Sequence, residues 1–87
     1  MYVLIVYDVE VGRVSKVHKL LKRYLHWVQN SVFEGEATEA QLAELKSKLE
    51  KITDESSDSI LIYTAREQKW LRREQLGKER ASTANIM

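Results

Sequence analysis

The stretch Tyr2-Val-Leu-Ile-Val-Tyr-Asp8 limits most sharply what this chain can fold into. Its β-branched and aromatic residues suit an extended backbone. Apolar residues occupy both alternating sets of positions, so a strand here is covered on both faces, as a central strand is. The rest of the chain has to supply two covers. Val9 to Gly12 reads as a short connection, and from Arg13 a helical period takes over. Val14, Val17, Leu21, Tyr24 and Leu25 recur at three- and four-residue steps, giving one apolar stripe with the basic residues largely on the remaining face.

Trp27, Val28, Val32 and Phe33 favour an extended course over His26 to Glu36, with Gly35 marking the strand's end. Gln29-Asn30-Ser31 suits either a tight turn between two short strands or a bulge within one long strand. Thr38-Glu-Ala-Gln41 has the form of a capping box, in which the two side chains satisfy free backbone donors at a helix start. Leu42, Leu45, Leu49 and Ile52 then trace a second amphipathic helix. Asp54 to Asp58 is a polar loop, Ser59-Ile-Leu-Ile-Tyr-Thr64 a further apolar strand, and Lys69 to Leu76 is expected as a last edge strand ending at Gly77. Residues 78–87 are polar and small and are expected to fray.

The order β-α-β-β-α-β followed by an extra strand is the α+β, ferredoxin-like arrangement, with both helices on one face of the sheet, in a single domain over residues 1–77. Two helices on one face leave the other face of the first strand bare. A second copy of the sheet is the simplest cover, so a homodimer is expected. Trp70 is an apt anchor for it. At 87 residues the chain is also short enough for oligomerisation to matter to its stability.

The absence of cysteine excludes a disulfide framework or a thiolate zinc site and fits a reducing, cytoplasmic setting. No apolar run approaches the roughly 20 residues that span a bilayer, so no membrane partner is expected. The apolar start lacks the basic flank of a signal peptide. The net charge of +1 conceals strong segregation: residues 11–33 carry Arg13, Lys16, Lys19, Lys22 and Arg23 and no acid, whereas residues 34–58 set eight acids against three lysines. Such blocks make separate basic and acidic surfaces, and the basic one suits phosphates.

Asp8 stands out among groups that could do chemistry. It is an acid at the C-terminal end of a central strand, where a rigid base presents side chains to a loop. It suits Mg²⁺, which takes one or two carboxylates and otherwise keeps waters and phosphate oxygens. It equally suits a cap on the following turn. Two copies of Asp8 in a symmetric dimer make a better ion site than one. His18 and His26 have no evident carboxylate partner, Ser31 has no His–Asp pair, and the three glycines form no phosphate-cradling loop. Tyr7, Trp27 and Phe33 suit either base stacking or a core.

The opening Met-Tyr-Val-Leu-Ile-Val-Tyr7-Asp8-Val resembles the first strand of the small CRISPR-associated "protein two" family. Trp27-Val-Gln-Asn-Ser-Val-Phe-Glu-Gly35 resembles its second signature, and Arg73-Glu-Gln-Leu-Gly77 its closing strand. The resemblance implies a ferredoxin-like homodimer that works with the CRISPR-associated integrase, "protein one", in spacer capture. It implies Mg²⁺-dependent endoribonuclease activity on single-stranded RNA, with Asp8 matching the family's metal-binding, catalytic aspartate and Tyr7, Arg13 and Phe33 matching positions around it. With Lys16, Lys19 and Arg23, these last three are the expected nucleic-acid contacts. Many relatives carry a basic residue where this chain has Trp27. The resemblance is equally compatible with a non-catalytic scaffold that binds duplex DNA.

Overall fold

The structure is a computed structural model that describes residues 1–77. Strand β1 (Tyr2–Asp8) leads to helix α1 (Val11–Lys22), the hairpin β2 (His26–Gln29) and β3 (Val32–Glu36), helix α2 (Glu39–Ile52) and strand β4 (Ser59–Ala65). The sheet order is β2-β3-β1-β4, every neighbour antiparallel. This is the split βαβ pattern expected of a ferredoxin-like chain. The hairpin takes the first of the two possibilities raised by its sequence, a turn between two short strands, and not a bulge within one long strand. Asn30 turns it with a φ of 45°, and a bulge interrupts the pairing between Trp27 and Gln29. Asn is among the few residues that tolerate that left-handed backbone.

Pleat alternation divides β1 as its doubly apolar composition requires. Val3, Ile5 and Tyr7 point to the helices and pack with Phe33, Val17, Leu21, Leu25, Leu42, Leu45 and Leu49 in one core. Leu4, Val6 and Asp8 point the other way. Cross-strand partners share a face, so Val32, Glu34, Leu61, Tyr63 and Ser59 lie on that open face too. Leu61 and Tyr63 remain 52% and 50% exposed there. At Gly35, opposite Val3, a Cβ would come within 3.4 Å of the Leu25 side chain, which explains a residue without one at this close approach.

In α2 the capping box is present, with the Gln41 N–H donating to Thr38 Oγ1 and the Thr38 N–H to Gln41 Oε1. Leu42, Leu45 and Leu49 are buried. In α1 the buried stripe is Val17, Leu20 and Leu21, while Val14, expected inside, is 38% exposed. The helix begins earlier than Arg13, and α2 packs over its Leu20 side. Tyr24 and Leu25, expected on the helical stripe, lie past the end of α1 at Lys22; from there the Tyr24 hydroxyl is hydrogen-bonded to Glu44 of α2 and accepts from Lys48 Nζ at 3.0 Å.

The edge strand expected over Lys69–Leu76 differs. Gln68–Trp70 form a single 3₁₀ turn, and the residues onward to Gly77 pair with no strand of the sheet. They instead border a cleft on the open face with Leu4, Val28 and Val32, and Arg73 ion-pairs with the buried Glu34. The expected strand is one that completes the sheet of a second copy, and within the single chain the segment has no ladder partner. The tail expected at 78–87 lies outside the described residues.

Candidate functional site

Asp8 ends β1 on the open face with its side chain exposed, and its pairing partner on β4 is Ser59. Among the described residues no three His, Cys, Asp or Glu side chains group as a metal site. The donor set is therefore a single hard carboxylate per chain. That fits Mg²⁺, with most of its shell left to water and phosphate oxygens, and fits no ion that demands a protein cage.

The other residues expected around Asp8 are dispersed by the fold. Phe33 is 0% exposed. Its ring lies 6.3 Å from that of Tyr7, itself buried, and 5.0 Å from that of His18. Both aromatics face the helices, opposite to Asp8, and neither ring offers a free face for a base. They are core residues that set the strands bearing Asp8. Burial raises the Tyr7 phenol above its ordinary value, which keeps it neutral.

Arg13 is also committed within the protein. Its Nε donates to Asp58 Oδ2 at 2.6 Å, and its Nη2 donates to Asp58 Oδ1 and to Ser57 Oγ, each at 3.0 Å. The loop Asp54–Asp58, which the sequence shows only as polar, thus supplies the anchor of α1. The Arg13 guanidinium, aided by N–H groups of Asp54 and Glu10, holds the Asp58 carboxyl far below the ordinary carboxylate range.

Lys16, Lys19 and Arg23 do stand together, exposed along one flank of α1. With Leu20 and with Lys48, Lys51 and Ile52 of α2 they line a shallow groove of about 390 Å³. Lys48 and Lys51 sit in the acidic block of the sequence, and only antiparallel packing of the helices brings them to this flank. Five cations thus surround an apolar floor of Leu20 and Ile52, with Lys48 also bonded to Tyr24 and paired with Glu44.

His18 is half-buried between Trp27, whose ring centroid is 6.1 Å away, and Phe33. Burial, and secondarily Lys22, lowers its pKa from the ordinary 6.5. On the helix side of the sheet it serves packing and not acid–base work at Asp8. A base whose folded pKa is depressed binds its proton more readily when unfolded, so its contribution to stability is complete above 6.5 and is lost as pH falls through the lowered value. The urea midpoint should therefore fall between about pH 7 and pH 5. In His18→Leu that segment of the profile should be flatter, and equal slopes for the two proteins would remove His18 as the cause.

An all-antiparallel β-α-β-β-α-β sheet, an exposed acid at the end of its central strand and a basic flank on its first helix define a small ferredoxin-like protein with segregated charge. Residues 1–73 match the family described as CRISPR associated protein Cas2. The "CRISPR-associated endoribonuclease Cas2" of Methanosarcina acetivorans is 53% identical over 87 residues, covering 100% of both chains. That of Pyrococcus furiosus is 58% identical over 66 residues, 76% of this chain and 78% of its own. Among solved structures, one described as a crystal structure of Cas2 superposes with a TM-score of 0.87 at 49% identity, covering 95% of this chain and 93% of its own. Streptococcus pyogenes Cas2 at pH 6.5 gives 0.80 at 40% identity, covering 88% of this chain and 100% of its own. The chain belongs to the Cas2 family.

Proposed function

We propose that this chain is a Mg²⁺-dependent endoribonuclease of CRISPR adaptation, cleaving single-stranded RNA as a homodimer and partnering the CRISPR-associated integrase in the cytoplasm. The observation that carries the reading is the position of Asp8: an exposed carboxylate at the margin of a sheet face whose apolar residues have only partial cover. Relatives of this similarity are named endoribonucleases. Packing of two open faces would draw Asp8 of each copy toward the two-fold axis. There, bound Mg²⁺ would stabilise charge on the scissile phosphate and orient a water. The role of the chain is to hold the two carboxylates and, through Lys16, Lys19 and Arg23, the flanking phosphates. Comparing cleavage of RNA with Mg²⁺ and with chelator is the primary test.

Dimerisation is checked apart from activity. Light scattering at micromolar concentration should give twice the mass of the chain, and Leu61→Glu together with Tyr63→Glu should give one. A parent that scatters as a monomer would remove the shared site.

Phosphate binding is tested on the groove. Lys16→Glu with Lys19→Glu should weaken nucleic-acid binding and flatten the log–log salt dependence by about 0.7 to 0.9 for each phosphate no longer neutralised. Lys51→Glu should act in the same direction. Lys46→Glu should do little, because Lys46 borders a different groove with Glu50 and Glu55. Unchanged affinity and slope in the double variant would place the nucleic acid elsewhere.

One observation favours a second reading, a non-catalytic scaffold binding duplex DNA. His18 is on the other side of the sheet from Asp8, and the basic groove is built without reference to Asp8. Duplex binding with no RNA cleavage in Mg²⁺ would select the scaffold.

A further inference from the structure

Asp58 lies in the turn before β4, far from Asp8 in sequence, yet its carboxylate is the most heavily bonded among the described residues. The side chain is 1% exposed. Its Oδ1 accepts from the Glu10 N–H at 2.9 Å and from Arg13 Nη2 at 3.0 Å. Its Oδ2 accepts from Arg13 Nε at 2.6 Å and from the Asp54 N–H at 2.9 Å. Four donors match the acceptor sites a carboxylate offers.

The two backbone donors show what is being joined. Glu10 is the N-cap of α1 and makes no side-chain capping bond of its own, so the N–H two residues beyond Asp8 is satisfied from another loop. Asp54 N–H belongs to the turn containing Asp58. Ser59, the next residue along, is the pairing partner of Asp8. Asp8 is therefore held laterally by the β1–β4 ladder and forward by the Glu10 N–H, and both restraints meet at Asp58.

We infer that Asp58, with Arg13 as its counter-charge, is a positioning residue that fixes the β1–α1 connection and with it the direction in which Asp8 presents its carboxylate. Arg13 acts through Asp58 and not as a phosphate contact. A bidentate guanidinium suits this work because it sets an angle as well as a distance, which a lysine does not. The inference rests on the reading of Asp8 as the Mg²⁺ ligand.

The experiment compares the parent with Asp58→Asn, Arg13→Lys and Asp8→Asn. Mg²⁺ is titrated while the backbone amide shifts of Val9 and Glu10 are followed by NMR, and separately while RNA cleavage is followed. Groups that orient a metal ligand typically contribute about 10- to 100-fold to affinity or activity, so the half-saturating Mg²⁺ concentration should rise by about that factor in Asp58→Asn. Arg13→Lys should shift it in the same direction. Because that change conserves charge, its shift cannot come from altered long-range electrostatics. It also keeps both backbone bonds of Asp58, so it decides the matter if Asp58→Asn does not fold. Lower melting temperatures with unchanged Mg²⁺ half-saturation would make the clamp merely structural and overturn the inference. So would an Arg13→Lys variant that changes only the salt dependence of nucleic-acid binding. If Asp8→Asn itself leaves the shifts and cleavage as in the parent, the assignment of Asp8 fails, and the inference with it. If Asp8→Asn abolishes both while Asp58→Asn moves neither, the clamp alone is refuted.

Discussion

Phe33→Ala should cost about 3 to 5 kcal/mol of folding stability. Phe33 is the largest side chain with no exposure, and it sits where both strand partners and the first helix converge. β3 pairs Phe33 with Ile5 of β1 and with Trp27 of β2, while His18 of α1 abuts its ring. Truncation would strip the ring from this packing and leave a cavity bounded by three elements, with little freedom to collapse. Domains typically carry 0.05 to 0.15 kcal/mol per residue, or about 4 to 13 kcal/mol for one of 87 residues. The loss is thus a large fraction of the total. The measurement is urea unfolding at fixed protein concentration, where the midpoint should drop with little change in slope. Phe33→Leu, which keeps most of the apolar volume, should drop it much less. If Phe33 instead stacked on a base, Phe33→Ala would leave the midpoint in place and weaken only nucleic-acid binding.

Both uses of Phe33 are consistent with its sequence, and the reason sequence cannot separate them is specific. A strand residue is assigned to a face by parity, and parity is lost across a bulge. The bulge between Trp27 and Gln29, followed by the left-handed Asn30, breaks the count from β2 into β3. Pairing with β1 restores it, since Phe33 opposite Ile5 must face the helices. Similar ambiguity affects α1. Val14 and Leu20 both lie at helical spacing from Val17, and only the position of α2 selects Leu20 as the buried one.

The features legible in the sequence depend on local rules. The doubly apolar β1 implies two faces to cover, and the open face bearing Leu61 and Tyr63 is its counterpart in the structure. The capping box needs only Thr38 and Gln41. The features that sequence reasoning misses depend on partners distant in the chain. Arg13 and Asp58 are separated by 45 positions, and in sequence one looks like a free cation and the other like part of a solvated acidic loop. Lys51 looks neutralised by its acidic neighbours until the helices pack and place it beside Lys16 and Lys19. Charge patterning locates the basic face but cannot count its members.

Asp8→Asn should abolish Mg²⁺-dependent cleavage of RNA while leaving the fold and the dimer intact. Asn keeps the size of the side chain and can still hydrogen-bond a following turn, so the substitution separates charge from capping. The loop after Asp8 is in any case tied down by Asp58, which accepts the Glu10 N–H, so little stability depends on the Asp8 side chain. Under the proposed function, removing the charge takes away the carboxylate that would hold Mg²⁺. Two carboxylates drawn together at a dimer axis repel each other without an ion, so Asp8→Asn should melt at the same temperature as the parent or higher in chelator. Addition of Mg²⁺ should then raise the melting temperature of the parent and not that of the variant. If Asp8 were only a cap, the outcome reverses: Asn would change neither melting nor cleavage, and Ala would cost about 1 kcal/mol. A variant that cleaves RNA at the parental rate in Mg²⁺ would remove Asp8 from the chemistry. If neither protein cleaves and both retain a DNA duplex and the integrase, the two-fold surface is a binding platform and the carboxylate pair is incidental to it.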